Sequence, residues 1–242
     1  MSDIVTAALL KKLGKIADLN LDDVKAIKSM PIIVKHVPDH HYVVRDRERP
    51  TQCCLVIEGF AVRSKTTRQG RRQILSIHIP GDIPDVQSLH LGVMDHDLIT
   101  LTPATLGFIP HLAIREMHRL RPRVAEIFWR ETLIDAAMFR EWIVNVGQRQ
   151  APSRMAHLVL ELKRRLEVIG PVISNTFQLP MTQDELGDAL GLTAVHVNRT
   201  IKQLRDGGLM EFQRQTVKIL NEPKLKELAD FDELYLHQDP SL

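Results

Sequence analysis

The stretch MTQDELGDALGLTAVHVNRTIKQLR, Met181 to Arg205, has the spacing of two short helices joined by one tight turn. In the first helix Leu186, Ala189 and Leu190 share a face. Gly191 follows where a left-handed residue is needed, and Thr193 can cap the next helix. That second helix spans about Ala194 to Arg205, with Val197, Ile201 and Leu204 recurring at helical spacing for burial. His196, Asn198, Arg199, Lys202 and Gln203 are left outward or flanking the buried stripe.

A major groove admits one α-helix, and an arginine near that helix's N-terminal half can make paired hydrogen bonds to a guanine edge. Arg199 is therefore the candidate base reader, with Val195 and Asn198 beside it. Thr182, Gln183, Thr193 and His196 lie near the two helix starts, where short polar side chains and backbone amides suit phosphate oxygens. The plainer alternative is a packed helix pair with solvated charges. What comes next favours DNA. Asp206-Gly207-Gly208 ends the helix, and Leu209–Phe212 and Thr216–Leu220 alternate as two strands around Gln213-Arg214-Gln215. The unit is a winged helix-turn-helix, with Arg214 at the hairpin tip able to touch a phosphate.

The whole chain has 242 residues, 44% of them hydrophobic, enough for one large domain or two ordinary ones. A formal net charge of only +2 argues against indiscriminate nucleic-acid binding, so attraction for phosphate must come from a local patch. No apolar span is long enough for a bilayer, and the N-terminus lacks a secretion pattern. The expectation is a soluble cytoplasmic protein with no membrane partner. Both cysteines, Cys53 and Cys54, are adjacent, which rules out a long-range staple and suits a reducing compartment. In their apolar run they read as small hydrophobes.

From about Ile32 to His111 short strand-like runs such as Gln73–Ile79 alternate between turns, including Ile57-Glu58-Gly59 and Pro80-Gly81-Asp82, and predict an antiparallel roll. Before it, Leu9, Leu13, Ile16, Val24 and Ile27 have helical spacing, with Asp22 placed to start a second short helix. Between roll and DNA-binding unit, Val124 to Val146 is apolar on nearly every side. Ile127, Phe128, Ile134, Met138 and Val144 form one stripe; Trp129, Leu133, Ala136, Phe139, Trp142 and Ile143 form another. One face can cover the roll and the other needs a partner, for which the same helix of a second subunit is the economical choice. Ile127, Ile134 and Met138 are assigned to that dimer contact. The alternative is a helix internal to a larger monomer.

The expected class is α+β, in four parts. They are N-terminal helices with a sensor-like β-roll (1–121), a dimerisation helix (122–149), a winged helix-turn-helix (150–221) after a hinge near Gln150–Ser153, and a C-terminal tail (222–242). This order resembles the Crp/Fnr family of bacterial transcription regulators. The resemblance is carried by Ile57-Glu58-Gly59, by Ile77-His78-Ile79-Pro80-Gly81-Asp82, by Ser153-Arg154 and by the whole of Met181–Arg205, and it extends from about Leu9 to Leu220. It implies a cyclic-nucleotide-binding-like roll, a homodimer on an inverted-repeat operator in double-stranded DNA, and contacts to RNA polymerase.

Departures from the family pattern narrow that implication. Where the cyclic-AMP-binding branch holds the nucleotide with a glutamate and an Arg-Ser pair, this chain reads Gly81-Asp82-Ile83-Pro84-Asp85 and Met94-Asp95-His96-Asp97-Leu98. Aspartates there would repel a phosphate, so no cyclic AMP binding is expected. No cysteine precedes Cys53, which excludes the family's N-terminal iron–sulfur cluster on ligand count. His36, His40, His41, His78, His90 and His96 are read as structural rather than as metal or haem ligands, so no cofactor is expected. The family's recognition-helix arginine is retained as Arg199, but its glutamate position is Val195. A carboxylate can accept from cytosine, whereas valine can only touch a thymine methyl, so the half-site should differ. A TTG-like inverted repeat with half-sites about 34 Å apart is what the resemblance implies. Two other classes stay open: a DNA-binding regulator with no effector, controlled by abundance, and a metal-dependent β-roll enzyme. For the enzyme no nucleophile–base pair, phosphate loop or metal triad is found.

Overall fold

The computed structural model describes residues 2–170 and 172–239, in two compact units. The first takes the chain up to Thr66, Leu75–Ala136 and the residues from His237 on; the second takes Thr67–Ile74 and Ala137–Leu236. Two helices open the first unit, α1 (Ser2–Ile16) and α2 (Leu21–Lys28). Leu9, Leu13, Ile16 and Ile27 are buried, as their spacing requires. Asn20, rather than Asp22, starts α2: its Oδ1 accepts from the amides of Asp22 and Asp23, and the Asp23 carboxylate accepts back from the Asn20 amide. Reciprocal use of two polar side chains satisfies more of the free helix-end donors than Asp22 alone.

Seven strands form the roll: β1 (Ile33–Val37), β2 (Tyr42–Val44), β3 (Gln52–Glu58), β4 (Ala61–Thr66), β5 (Arg72–His78), β6 (Asp97–Thr100) and β7 (Ala104–Pro110). They lie in two sheets, ordered β1-β7-β3 and β2-β6-β4-β5. In the first, β7 pairs antiparallel with both neighbours, Ile33 opposite Phe108 and Cys53 opposite Ile109. Val44, Cys54, Val56, Ala61, Met94, Leu98, Ala104, Leu106 and Phe108 make a core cluster of the roll. Gly59 turns β3 into β4 at φ 89°, where a Cβ would stand 2.7 Å from the Pro103 carbonyl oxygen, so only glycine serves. Two elements that the sequence reading passes over complete this unit, α3 (Ser88–Leu91) and α4 (His111–Leu120).

Both cysteines are buried and free, and burial pushes both thiols well above their ordinary range. Of the histidines, His36 meets the Thr105 hydroxyl, His78 meets Ser76 and His96 meets Asp95, at 3.0, 2.8 and 2.7 Å.

Helix α5 (Pro122–Gln148) continues from the first unit into the second. Its polar side chains join a partly buried web within the first unit. Lys12 donates to Asp82 at 2.6 Å and also to Glu131 of α5. Arg63 donates through Nε to the Pro84 carbonyl at 2.6 Å and through Nη1 to Asp135 of α5 at 2.7 Å. The three residues expected at a subunit contact, Ile127, Ile134 and Met138, are buried in the protomer's own core together with Val124, Phe128, Ala137 and Trp142. Left outside are Trp129 (65% exposed), Leu133 (51%) and Ile143 (69%). Both stripes are apolar, so periodicity alone assigns neither to the home core. Burial assigns Ile127 and Ile134 inward.

The second unit holds α6 (Ala151–Ile169), β8 (Thr176–Gln178), α7 (Gln183–Leu190), α8 (Ala194–Asp206), β9 (Met210–Gln213), β10 (Thr216–Ile219), α9 (Glu222–Ala229) and a 3-10 turn (Glu233–Leu236). The chain bends at Arg149–Gln150, with Pro152 in the first turn of α6, where its missing amide costs nothing. The wing has three strands in the order β8-β10-β9, one more than the sequence suggests. Leu225 and Ala229 are buried as α9 packs along α6. Among the described residues no helix is long and apolar enough to cross a membrane.

Candidate nucleic-acid interface

The start of α7 is a closed capping box. Thr182 Oγ1 accepts from the Glu185 amide at 3.2 Å and the Glu185 carboxylate accepts from the Thr182 amide at 2.8 Å. Leu186, Ala189 and Leu190 are buried, and Gly191 ends the helix at φ 65°, its amide on the Gly187 carbonyl. The turn is held twice more. Leu192 donates to Gly187 O at 3.0 Å, and Arg154 of α6 reaches Leu190 O at 2.8 Å. Gly187 is required for contact rather than for its backbone angle: a Cβ there would stand 2.6 Å from Leu192 O. Thr193 caps α8 by accepting from the His196 amide. The hydroxyls of Thr182 and Thr193 therefore shape the helix starts before any phosphate arrives.

Helix α8 buries Val197 and Leu204 as expected, while Thr200 is buried in place of Ile201, which is only half-buried. The outward face is as expected: Val195, His196, Asn198, Arg199, Lys202 and Gln203 are all exposed. Gln183, Ala194, Val195, Asn198, Arg199 and Lys202 line one shallow open depression that joins the start of α7 to the outer face of α8. Asn198 Nδ2 reaches Gln183 Oε1 at 3.5 Å across it. Lys202, one turn beyond Arg199, shares this depression, a position that its i+3 spacing could have assigned. Val195 is 76% exposed, a large apolar side chain amid polar ones. Arg214 and Gln215 form the two-residue hairpin tip at φ 50° and 60°, which leaves Arg214 exposed at the end of the wing. Convergence of an exposed arginine, an amide, a lysine and an apolar tip on one rigidly backed helix matches what a base edge offers.

In the roll, Asp82 and Asp85 are buried, whereas Asp95 points outward to His96 and Asp97 accepts from the Asp46 amide. The second segment meets the chain just after the first through His96, whose Nε2 lies 3.5 Å from Gln87 Nε2. Asp85 Oδ1 accepts from the Cys54 amide at 2.7 Å, and burial raises its carboxyl to about 7.

Comparison with known proteins agrees with this geometry. The cyclic nucleotide-binding domain family matches residues 34–120, and the Crp-like helix-turn-helix domain family matches residues 153–228. The transcriptional activator protein FnrL of Cereibacter sphaeroides is 28% identical over 181 residues, 73% of this chain and 72% of the relative. The nitrogen fixation regulation protein FixK of Bradyrhizobium diazoefficiens is 27% identical over 196 residues, 80% of this chain and 81% of its own length. The solved structure of FixK2 from Bradyrhizobium japonicum shares the fold with a TM-score of 0.74, at 22% identity, covering 82% of this chain and 98% of that one. These relatives are transcription regulators, which sets the enzyme alternative aside. With a cyclic nucleotide-binding domain ahead of a Crp-like helix-turn-helix, the chain belongs to the Crp/Fnr transcription regulators and is a DNA-binding protein.

Proposed function

We propose that the protein acts in the cytoplasm as a homodimer that reads a two-fold symmetric operator in double-stranded DNA, without cyclic AMP. The carrying observation is the outer face of α8, where Arg199, Asn198 and Val195 stand exposed on a helix capped at its start and packed along its back. In this reading Arg199 takes a guanine edge and Val195 a thymine methyl, while Asn198 and Lys202 line the same approach. Thr182, Gln183, Thr193, His196 and Arg214 face the flanking phosphates.

Dimerisation is assigned to the exposed side of α5. Trp129, Leu133, Ala136, Arg140, Ile143 and Gly147 alternate at intervals of four and three residues, the spacing of a coiled-coil seam. Two copies of that seam would place two recognition helices on neighbouring turns of one duplex, about 34 Å apart. Contact with RNA polymerase follows in this reading from the activator relatives.

Independence from cyclic AMP is supported by the polar web of the roll. Its cations, half-buried Lys12 and buried Arg63, already face Asp82, Glu131 and Asp135, and Asp85 adds a carboxyl nearby. A cyclic phosphate entering there would displace ion pairs and meet carboxylates. The same web favours a second reading in which no effector is needed and abundance sets activity. A thermal-shift screen separates the two: stabilisation by a small molecule would support a sensor.

Sequencing of DNA retained by the purified protein tests the main reading, with an inverted repeat expected. Arg199→Ala should lose about 1–3 kcal/mol of specific binding. Equal protection of the operator by that variant would remove Arg199 from the role.

A further inference from the structure

The residues after the matched helix-turn-helix region carry an arrangement of their own. Beyond α9 the chain turns at Asp230, φ 47°, and lays Phe231 and Tyr235 against His157 of α6. Ring centroids are 5.2 Å apart for Phe231 and His157, edge to face, and 5.8 Å for Tyr235 and His157, stacked. Tyr235 closes the group by donating its hydroxyl to Glu161 Oε2 at 3.0 Å.

Glu161 is fully buried on α6 and is a node between elements. It also accepts from the Trp142 indole near the end of α5, at 3.0 and 3.2 Å, and from Arg165 one turn along at 3.4 Å. A buried carboxylate is costly unless hydrogen-bonded, so its three donors are held in place together. Trp142 and Glu161 lie on opposite sides of the Arg149–Gln150 bend and are joined directly, and Tyr235 holds the same carboxylate from the side of α6. Arg149 at the bend reaches the Asp230 carbonyl at 3.5 Å and pairs with Glu141 at 2.6 Å, while Arg164 pairs with Glu233.

We propose that Phe231–Leu236 is a positioning strap that fixes the angle between α5 and α6 through Tyr235, Glu161 and Trp142, and thereby sets the half-site spacing that the dimer accepts. The spacing half of this proposal rests on the operator reading above; the clamping half does not. Because α6 leads directly into the DNA-binding unit, a looser bend lets each recognition helix swing, and a dimer with swinging heads tolerates operators of altered length.

The test uses the full chain, as wild type, as Tyr235→Phe and as the double variant Phe231→Ala with Tyr235→Ala. Hydrogen exchange without DNA is the first readout. Amides of residues 145–149 and 154–158 should exchange about tenfold faster in the double variant, with those of the roll unchanged. Binding to symmetric operators lengthened or shortened by one base pair, roughly a tenth of a turn, is the second. Wild type should lose about tenfold on the altered spacings and the double variant about threefold or less. Tyr235→Phe, which keeps both rings, should fall between them and stands as the test if the double variant does not fold.

A folded variant with wild-type protection at the bend and wild-type spacing preference overturns the strap. Uniformly faster exchange with unchanged spacing preference does the same, since that marks mere packing. If wild type binds no symmetric DNA, the operator reading fails instead, and exchange at the bend still judges the clamp.

Discussion

Leu133→Glu on the exposed side of α5 should separate the dimer while leaving each protomer folded. Trp129 is 65% exposed in the protomer, and Ile143 and Leu133 are 69% and 51% exposed. A tryptophan offers about 250 Å², so roughly 160 Å² of Trp129 awaits a partner, worth about 4 kcal/mol per subunit at about 25 cal/mol/Å². Leu133 and Ile143 add about 1–2 kcal/mol each per subunit. Doubled across the two-fold axis, these contacts gross about 12–16 kcal/mol, against an association cost of about 4–15 kcal/mol. Such a margin is sensitive to one change. Leu133→Glu removes about 1–2 kcal/mol from each side and sets two carboxylates facing each other, at a further cost of up to about 4 kcal/mol. The dimer Kd should therefore rise at least about thirtyfold, and about a thousandfold where the carboxylates repel at half that cost, read by sedimentation equilibrium over a concentration series. Ile134→Val is the matched control on the buried side. It should lower protomer stability by about 1 kcal/mol and leave the dimer Kd unchanged. The opposite pattern, with Leu133→Glu still dimeric and Ile134→Val dissociating, would refute the seam and return the contact to Ile127, Ile134 and Met138.

Four further outcomes are expected. Gly187→Val drives side-chain carbon into Leu192 O, 2.6 Å from the ideal Cβ. It should cost the helix-turn-helix about 3 kcal/mol, seen as lost DNA binding and an early melting step with the roll's transition intact. Asp85 is raised by burial to about 7 from 3.8, so the folded state holds its proton longer than the unfolded chain and stability falls as pH rises from about 4 to 7. Asp85→Asn, which keeps the acceptor for the Cys54 amide, should remove that loss. The variant should be the more stable protein at pH 8, by up to about 4 kcal/mol, in denaturant titrations at several pH values. His78 titrates oppositely: lowered by burial to about 4, it contributes stability that is lost as pH falls from about 6.5 to 4. Finally, replacing the thymine opposite Val195 by uracil should weaken binding about fourfold, one methyl's worth, and Val195→Ala should abolish that sensitivity.

Much of the DNA-binding unit was legible because its determinants are local. The glycine at 191, the cap at Thr193 and the outward run on α8 each depend on neighbours within a turn. The roll's strands were legible for the same reason, through turns such as that at Gly59. What escaped was short or long-range. Strand β8 has three residues, too few for an alternation to register, and α3 has four. Ile127, Ile134 and Met138 were read as a subunit contact although the protomer itself buries them, because two apolar stripes look alike until one is placed on a core. Glu161 reads as an ordinary helix carboxylate; only the fold brings Tyr235, 74 positions later, against it.

Cys53 and Cys54 adjoin in sequence but look into different surroundings. The Cys53 sulfur lies 3.8 Å from both the Asp85 carbonyl and the Ser88 hydroxyl at the start of α3, whereas Cys54 belongs to the core cluster of the roll. The chain thus contains two native chemical clocks one residue apart. Pulsed alkylation, read by mass for each thiol, would time the lifting of the α3 side separately from the breaking of the roll's interior, with no label added to the protein.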